Sequence, residues 1–176
     1  SAREPLTLVD ALFTATSAVC VTGLIVVDTP NAFTGFGQVV ILLLIQVGGL
    51  GYMAITTVVG VALGRQLSLH ERMTLQEALN VQTMEGLVRF ALTVLKLTLA
   101  LELTGAILLT ARWAGDLGLA QAAYYGLFHA VSAFNNAGFS LFSDNLAGAT
   151  DEPLVLLTVS FLVILGGIGF FTILEV

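Results

Sequence analysis

Residues 12–24 read LFTATSAVCVTGL, and residues 127–139 read LFHAVSAFNNAGF. Laid over one another without a gap, they share Leu, Phe, Ala, Ser, Ala and Gly. A second pair lies downstream: GGLGY at 48–52 and GGIGF at 166–170, with three more residues in the second connection. Internal repetition of this kind decides a fold before any other signal is weighed. The repeated unit reads as a short helix, a polar loop with one glycine, and a long apolar helix.

The solvent of this unit follows from composition. The chain is 57% hydrophobic and only 10% charged, with a mean hydropathy of +0.97. That balance belongs in a bilayer. No run of Ser, Pro or like charge marks a linker. The opening residues, SAREPLTLVD, lack the basic flank and apolar core of a signal peptide, so the chain reads as beginning in mid-structure. With Cys20 as its one cysteine, no intrachain disulfide can form.

Three segments are long enough to cross. Residues 39–64 carry no charge and exceed the roughly 20 residues that span ~30 Å of hydrocarbon. Residues 90–111 contain Lys96 and Glu102, and residues 154–174 are uncharged. Pro30 and Pro153 read as helix starts, with Asp151 as the N-cap of the last span. Two further apolar segments, 6–18 and 119–134, reach only about 20 to 24 Å as helices, too short to cross. They read as re-entrant half-helices. The polar stretch after each survives in lipid only if buried in protein or lining a watery cavity. The expected fold is therefore an all-α membrane protein of tandem parallel repeats, related by an axis along the membrane normal. Its divisions fall at residues 1–64, a cytoplasmic loop at 65–83, and residues 84–176.

Charge agrees with that topology. Residues 65–89 hold three arginines, which marks the cytoplasmic side. The opposite segments set Arg3 and Arg112 against Glu4, Asp10, Asp28, Asp116, Asp144, Asp151 and Glu152. Such a mouth concentrates cations. The plainer alternative is that each acid solvates a loop or caps a helix.

A short helix ending near Ala18 points its partly negative carbonyl end into the membrane. Gly23 and Gly138 fall at the same place in both loops, where access to φ > 0 lets successive carbonyls turn toward one line. Rings of carbonyls replace the water around an alkali cation. The competing reading makes both residues simple C-cap glycines. Cys20, Val21 and Thr22 stand opposite Asn135, Asn136 and Ala137. These side chains do not match, so main-chain oxygen is the expected ligand, and the preferred role of Asn135 and Asn136 is to brace the loop. Gly48, Gly49 and Gly51 read as sites of close helix packing. Lys96 and Glu102 lie ~120° apart around a helix, which disfavours a direct pair. Lys96 can snorkel and Glu102 can brace the neighbouring loop, and both roles stay open. His70 and His129 have no metal-ligand spacing and read as structural. Ser68 and Glu71 form a capping box for a short amphipathic helix. An intramembrane hydrolase using Ser17, Ser132 or Ser140 with His129 lacks a partner acid or base at repeat-consistent spacing. A non-conducting structural subunit is the remaining alternative.

DALFTATSAVCVTGL (10–24), GGLGYMAI (48–55), LSLHERMTLQEALN (67–80), FHAVSAFNNAGFS (128–140) and GGIGFF (166–171) together resemble the Trk/Ktr/HKT superfamily of potassium transporters. The resemblance is strongest to its bacterial Ktr-type membrane subunits. It implies a four-repeat, potassium-channel-like fold around one ion path, with one filter glycine per repeat, matched here by Gly23 and Gly138. The implied K+ site is Cys20, Val21, Thr22, Gly23, Asn135, Asn136, Ala137 and Gly138, mostly through backbone carbonyls. It further implies a multi-pass protein of the bacterial plasma membrane, potassium as the transported ion with sodium dependence among members, and homodimers. A cytosolic nucleotide-binding ring subunit is the implied regulator, and no nucleic acid partner is expected. Against that pattern the chain lacks the first outer helix, repeats three and four, and the third-repeat gate. It reads as a piece of a longer subunit. A two-fold pair of these halves closing a pore is the alternative.

Overall fold

The computed structural model describes residues 6–51 and 84–168. All regular structure among them is helical: α1 (Leu8–Val19), α2 (Thr29–Ala32), α3 (Gly35–Leu50), α4 (Met84–Leu117), α5 (Leu119–Phe134) and α6 (Pro153–Ile168), with a 3-10 turn at Ala147–Ala149. Two units are distinguished, one of residues 1–49 and 100–176, the other of 50–99. In the second unit the described side chains of α4 include buried Ala91, Val94 and Thr98.

Local chemistry explains the helix starts. Thr7 caps α1: its hydroxyl oxygen accepts from the Asp10 N–H at 3.2 Å while the Asp10 carboxylate accepts from the Thr7 N–H at 3.1 Å. That is a capping box with Asp in place of Glu, and the acid also suits the positive helix end. Gly118, at φ +79, lets the chain leave α4 and enter α5 within one residue. Pro153 opens α6, where its missing N–H is an orphan in any case.

Several boundaries depart from the sequence reading. Pro30 belongs to the four-residue α2, which ends at Phe33 with ψ 140, and the long helix starts afresh at Gly35. Glu152, not Asp151, immediately precedes α6. The helix α3 ends at Leu50, and Gly51 takes φ +74, a conformation no right-handed helix continues through. The helix holding Lys96 and Glu102 is longer than expected, and its residues 91–117 are long and apolar enough to cross a membrane. The rest of the first and last expected spans, 52–64 and 169–174, lies outside the described residues. So do the divisions at 64 and 83, Arg3, Glu4, His70 and the Ser68–Glu71 capping box.

Within the first unit α5 is the central element. One side joins Leu109 and Trp113 of α4 and Val155 and Leu162 of α6. The other packs Phe128 and Val131 with Ala18, Ile41 and Ile45 of α1 and α3. Hydrocarbon solvent gives such burial no hydrophobic drive, so close packing of small residues must hold the helices. Gly126 supplies it: a Cβ there would lie 2.7 Å from the Ala106 carbonyl oxygen. On the outside, Leu103 and Ile107 of α4 and Leu157, Phe161 and Ile164 of α6 are exposed. A water-soluble domain does not leave such surfaces uncovered.

Candidate functional site

The loops after α1 and α5 are built alike. Thr22 N–H donates to the Ser17 carbonyl at 3.0 Å and Val21 N–H to Ala18 at 3.2 Å. Ala137 N–H donates to Ser132 at 2.8 Å and Asn136 N–H to Ala133 at 3.0 Å. Each pair is the double closure of a Schellman motif. The left-handed residue it requires is Val21 (φ +54) in the first loop and Asn136 (φ +57) in the second. Gly23 (φ +70) and Gly138 (φ +72) come two positions later, so neither is the cap glycine of its helix. A β-branched residue such as Val21 is an outlier in that region, at a cost of roughly 1–3 kcal/mol. Asn136 tolerates it better.

The structure brings the two glycine loops together. A Cβ on Gly23 would lie 2.6 Å from the Ala137 carbonyl oxygen and 3.3 Å from the Gly138 Cα. One on Gly138 would lie 3.5 Å from the Gly23 Cα. The flanking side chains are occupied locally. The Thr22 hydroxyl lies 2.9 Å from that of Ser17, and Cys20 is an exposed cap residue whose N–H donates to Thr16. Ser17 and Ser132, identical in the two copies, both fasten the loop to its helix: Ser132 Oγ donates to the Phe139 carbonyl at 2.6 Å. Ser132→Ala should therefore destabilise the subunit by about 1–3 kcal/mol, the cost of an orphaned buried carbonyl. Ser17→Ala should cost less, because its partner Thr22 is exposed and can turn to water. Unfolding midpoints of the two variants check the order.

The helices behind the loops approach through glycine. A Cβ on Gly48 would overlap the Val19 carbonyl, and one on Gly166 the Phe134 carbonyl. These are corresponding glycines against corresponding helix ends. Gly49 likewise leaves room for the Asn135 side chain. Asn135, buried, donates to Glu102 Oε1 at 3.0 Å, to the Val131 carbonyl at 2.9 Å and to Gln46 Oε1 at 3.4 Å. Asn136, with its amide turned to satisfy both ends, donates to the Val163 carbonyl at 3.3 Å and accepts from Gly167 N–H at 3.2 Å. Both asparagine side chains are thus bonded as braces. Glu102 meets Gln46 and Asn135, while Lys96 is exposed.

Other expected residues have structural partners. Asp28 accepts from Ser143 Oγ at 2.6 Å and from Asn31, a clasp joining the segments that leave the two loops. Arg112 pairs with Asp116 and Glu152, each at 2.7 Å, and Asp144 accepts from Gly148 N–H. These acids, with Asp10, do the capping and bridging of the plainer reading. His129 is 3% exposed among Trp113, Tyr125, Phe128 and Phe142. Its Nδ1 faces the Tyr125 carbonyl at 2.8 Å and so carries the proton, leaving Nε2 to accept from Ser140 Oγ at 3.0 Å and Leu141 N–H at 3.4 Å. That Ser–His contact has a carbonyl where a hydrolase needs an orienting acid. It also borders a cleft of about 330 Å³ that Asn136 and Gly138 help line.

Comparison with known sequences decides the family. The family described as TrkH, cation transport protein, matches residues 1–176. The chain belongs to it. The chain is 47% identical over its whole length to the Ktr system potassium uptake protein B of Bacillus subtilis (strain 168), of which it covers 40%. It is 43% identical over 97% of its length to the Vibrio alginolyticus protein of the same name, covering 38% of it. It is 40% identical over 92% of its length to the potassium/sodium uptake protein NtpJ of Enterococcus hirae, covering 36%. The chain thus spans about two fifths of the length of these relatives. As a TrkH-family chain it is a membrane protein of a cation-transport family, not of an enzyme family.

Some supporting residues of this TrkH-family chain were beyond sequence reasoning. Gln46 sits in an apolar run with nothing to mark its partner, and the Asp28–Ser143 clasp joins residues 115 positions apart. Ser17 and Ser132 did carry a signal, identity across the repeat, which marks them as parts of the shared loop.

Proposed function

We propose that this chain supplies two of the potassium-coordinating loops of a potassium transporter in the bacterial plasma membrane, each loop a filter entered by a re-entrant pore helix. The observation that carries the reading is the shared backbone: φ is positive at Val21 and Gly23, and again at Asn136 and Gly138, but not at the residue between. Such an alternation in φ lets successive carbonyls turn to one side instead of to opposite sides as in a strand. The ligands are main-chain oxygens of Val21, Thr22 and Gly23 and of Asn136, Ala137 and Gly138. Cys20 and Asn135 stand at the entrance to each run. Potassium is the cargo, in line with the names of the relatives, and sodium a second ion, in line with the name of one of them.

Two loops cannot surround an ion. The remaining repeats of the subunit complete the ring, and the exposed apolar residues of α4 and α6 are available to them, to lipid and to the second copy of a homodimer. A cytosolic nucleotide-binding ring would meet residues 65–83. The test is a structure of the intact subunit soaked with thallium(I), an anomalously scattering potassium analogue. A peak within coordination distance of the Gly23 and Gly138 carbonyls is expected. An empty space there, with both loops against lipid, would overturn the reading.

A further inference from the structure

Glu102 is 2% exposed in the apolar stretch of α4. A carboxyl group in such a place is expensive unless both oxygens are met by donors. Both are: Oε1 takes Asn135 Nδ2 at 3.0 Å and Oε2 takes Gln46 Nε2 at 3.2 Å. Gln46 Oε1 faces the same Asn135 nitrogen at 3.4 Å, closing a ring of three side chains from α3, α4 and the cap of α5. Asn135 immediately precedes Asn136, the left-handed residue that opens the second loop, and its side chain fills the space that Gly49 leaves. The ring serves one loop only. The residues that correspond to Asn135 and Gln46 in the other copy are Cys20 and Ile164, which cannot form it.

We propose that Glu102 is a positioning residue for ion selection, holding Asn135 and through it the backbone of the second glycine loop against α3. The proposal rests on the reading of these loops as ion-coordinating. A site holds its geometry only when the groups behind it are locked. Without the carboxyl group the Asn135 amide loses its strongest acceptor, the loop gains slack, and its carbonyls discriminate less between ions of different radius.

The experiment measures the potassium-to-sodium uptake ratio of the intact subunit in proteoliposomes, at matched protein amounts. Glu102→Ala and Asn135→Ala are each expected to lower the ratio by up to about tenfold, the factor carried by one lost hydrogen bond. The double variant should be no worse than either single one, because both remove the same tie. Glu102→Gln keeps one oxygen for Asn135, and the Gln46 amide can turn to meet its nitrogen, so the ratio should stay within about twofold of the unmodified protein. An unchanged ratio in Glu102→Ala, or singles whose losses multiply in the double, would overturn the proposal. Should Glu102→Ala fail to accumulate, Asn135→Leu, which keeps the branched side-chain shape and removes the amide donor, carries the same expectation and the same refutation. Gly138→Ser runs alongside. If it lowers the ratio while Glu102→Ala does not, the positioning role falls and the coordinating loops stand; if neither does, both readings fall.

Discussion

Gly166→Ala is expected to destabilise the subunit sharply, whereas Gly167→Ala is expected to leave it intact. A Cβ on Gly166 would overlap the Phe134 carbonyl oxygen and lie 2.8 Å from its carbon. Both sides of that contact are backbone, and neither can rotate away. Overpacking of this kind costs about 3 kcal/mol or more, a large part of ordinary stability. A Cβ on Gly167 would have the Asn136 amide 3.8 Å away, an ordinary contact. Both substitutions lie in α6 and carry the same propensity gain of about 1 kcal/mol for Gly→Ala, so position alone separates them. Unfolding midpoints of the purified subunit in detergent should fall sharply for Gly166→Ala and hold or rise for Gly167→Ala. Equal midpoints would contradict the close approach. Gly48, over the Val19 carbonyl, should behave as Gly166 does.

Why this pair of glycines could be read, and others could not, is a matter of what repetition records. Leu12–Leu24 and its copy fix the glycines, the serines and the helix ends, because each is demanded by backbone geometry that both copies must satisfy. The helical character of the described residues followed from composition and from long apolar runs. The boundaries were less legible. Pro30 signals a helix start correctly, but Phe33 ends that helix after one turn, and nothing local marks the restart at Gly35. The residue that closes each short helix carried no signal of its own. Gly is the favoured left-handed residue, yet Val21 and Asn136 hold those positions under tertiary constraint. Bonds across distant segments left no periodic trace. Glu102 could be flagged as an intramembrane acid, but its partners Gln46 and Asn135 lie 56 and 33 positions away.

The second large effect concerns the loop glycines themselves. At φ +70 and +72 a residue with a Cβ is strained by about 1–2 kcal/mol, so serine at either position pulls the backbone toward negative φ and turns the carbonyls that the proposed filter would use. Gly23→Ser carries a second penalty, since its Cβ would lie 2.6 Å from the Ala137 carbonyl oxygen and force the two loops apart. Gly138→Ser meets only the Gly23 Cα at 3.5 Å. Selectivity should therefore fall in both variants and further in Gly23→Ser, by more than about tenfold if the loss exceeds 1.4 kcal/mol of discrimination.

That ranking is the most direct test of the account, read as potassium-to-sodium flux ratios of the intact subunit in proteoliposomes. The account predicts a ratio falling toward unity for Gly23→Ser, with Gly138→Ser between it and the unmodified protein. Two variants that transport with unaltered preference would contradict it and place ion coordination elsewhere in the subunit.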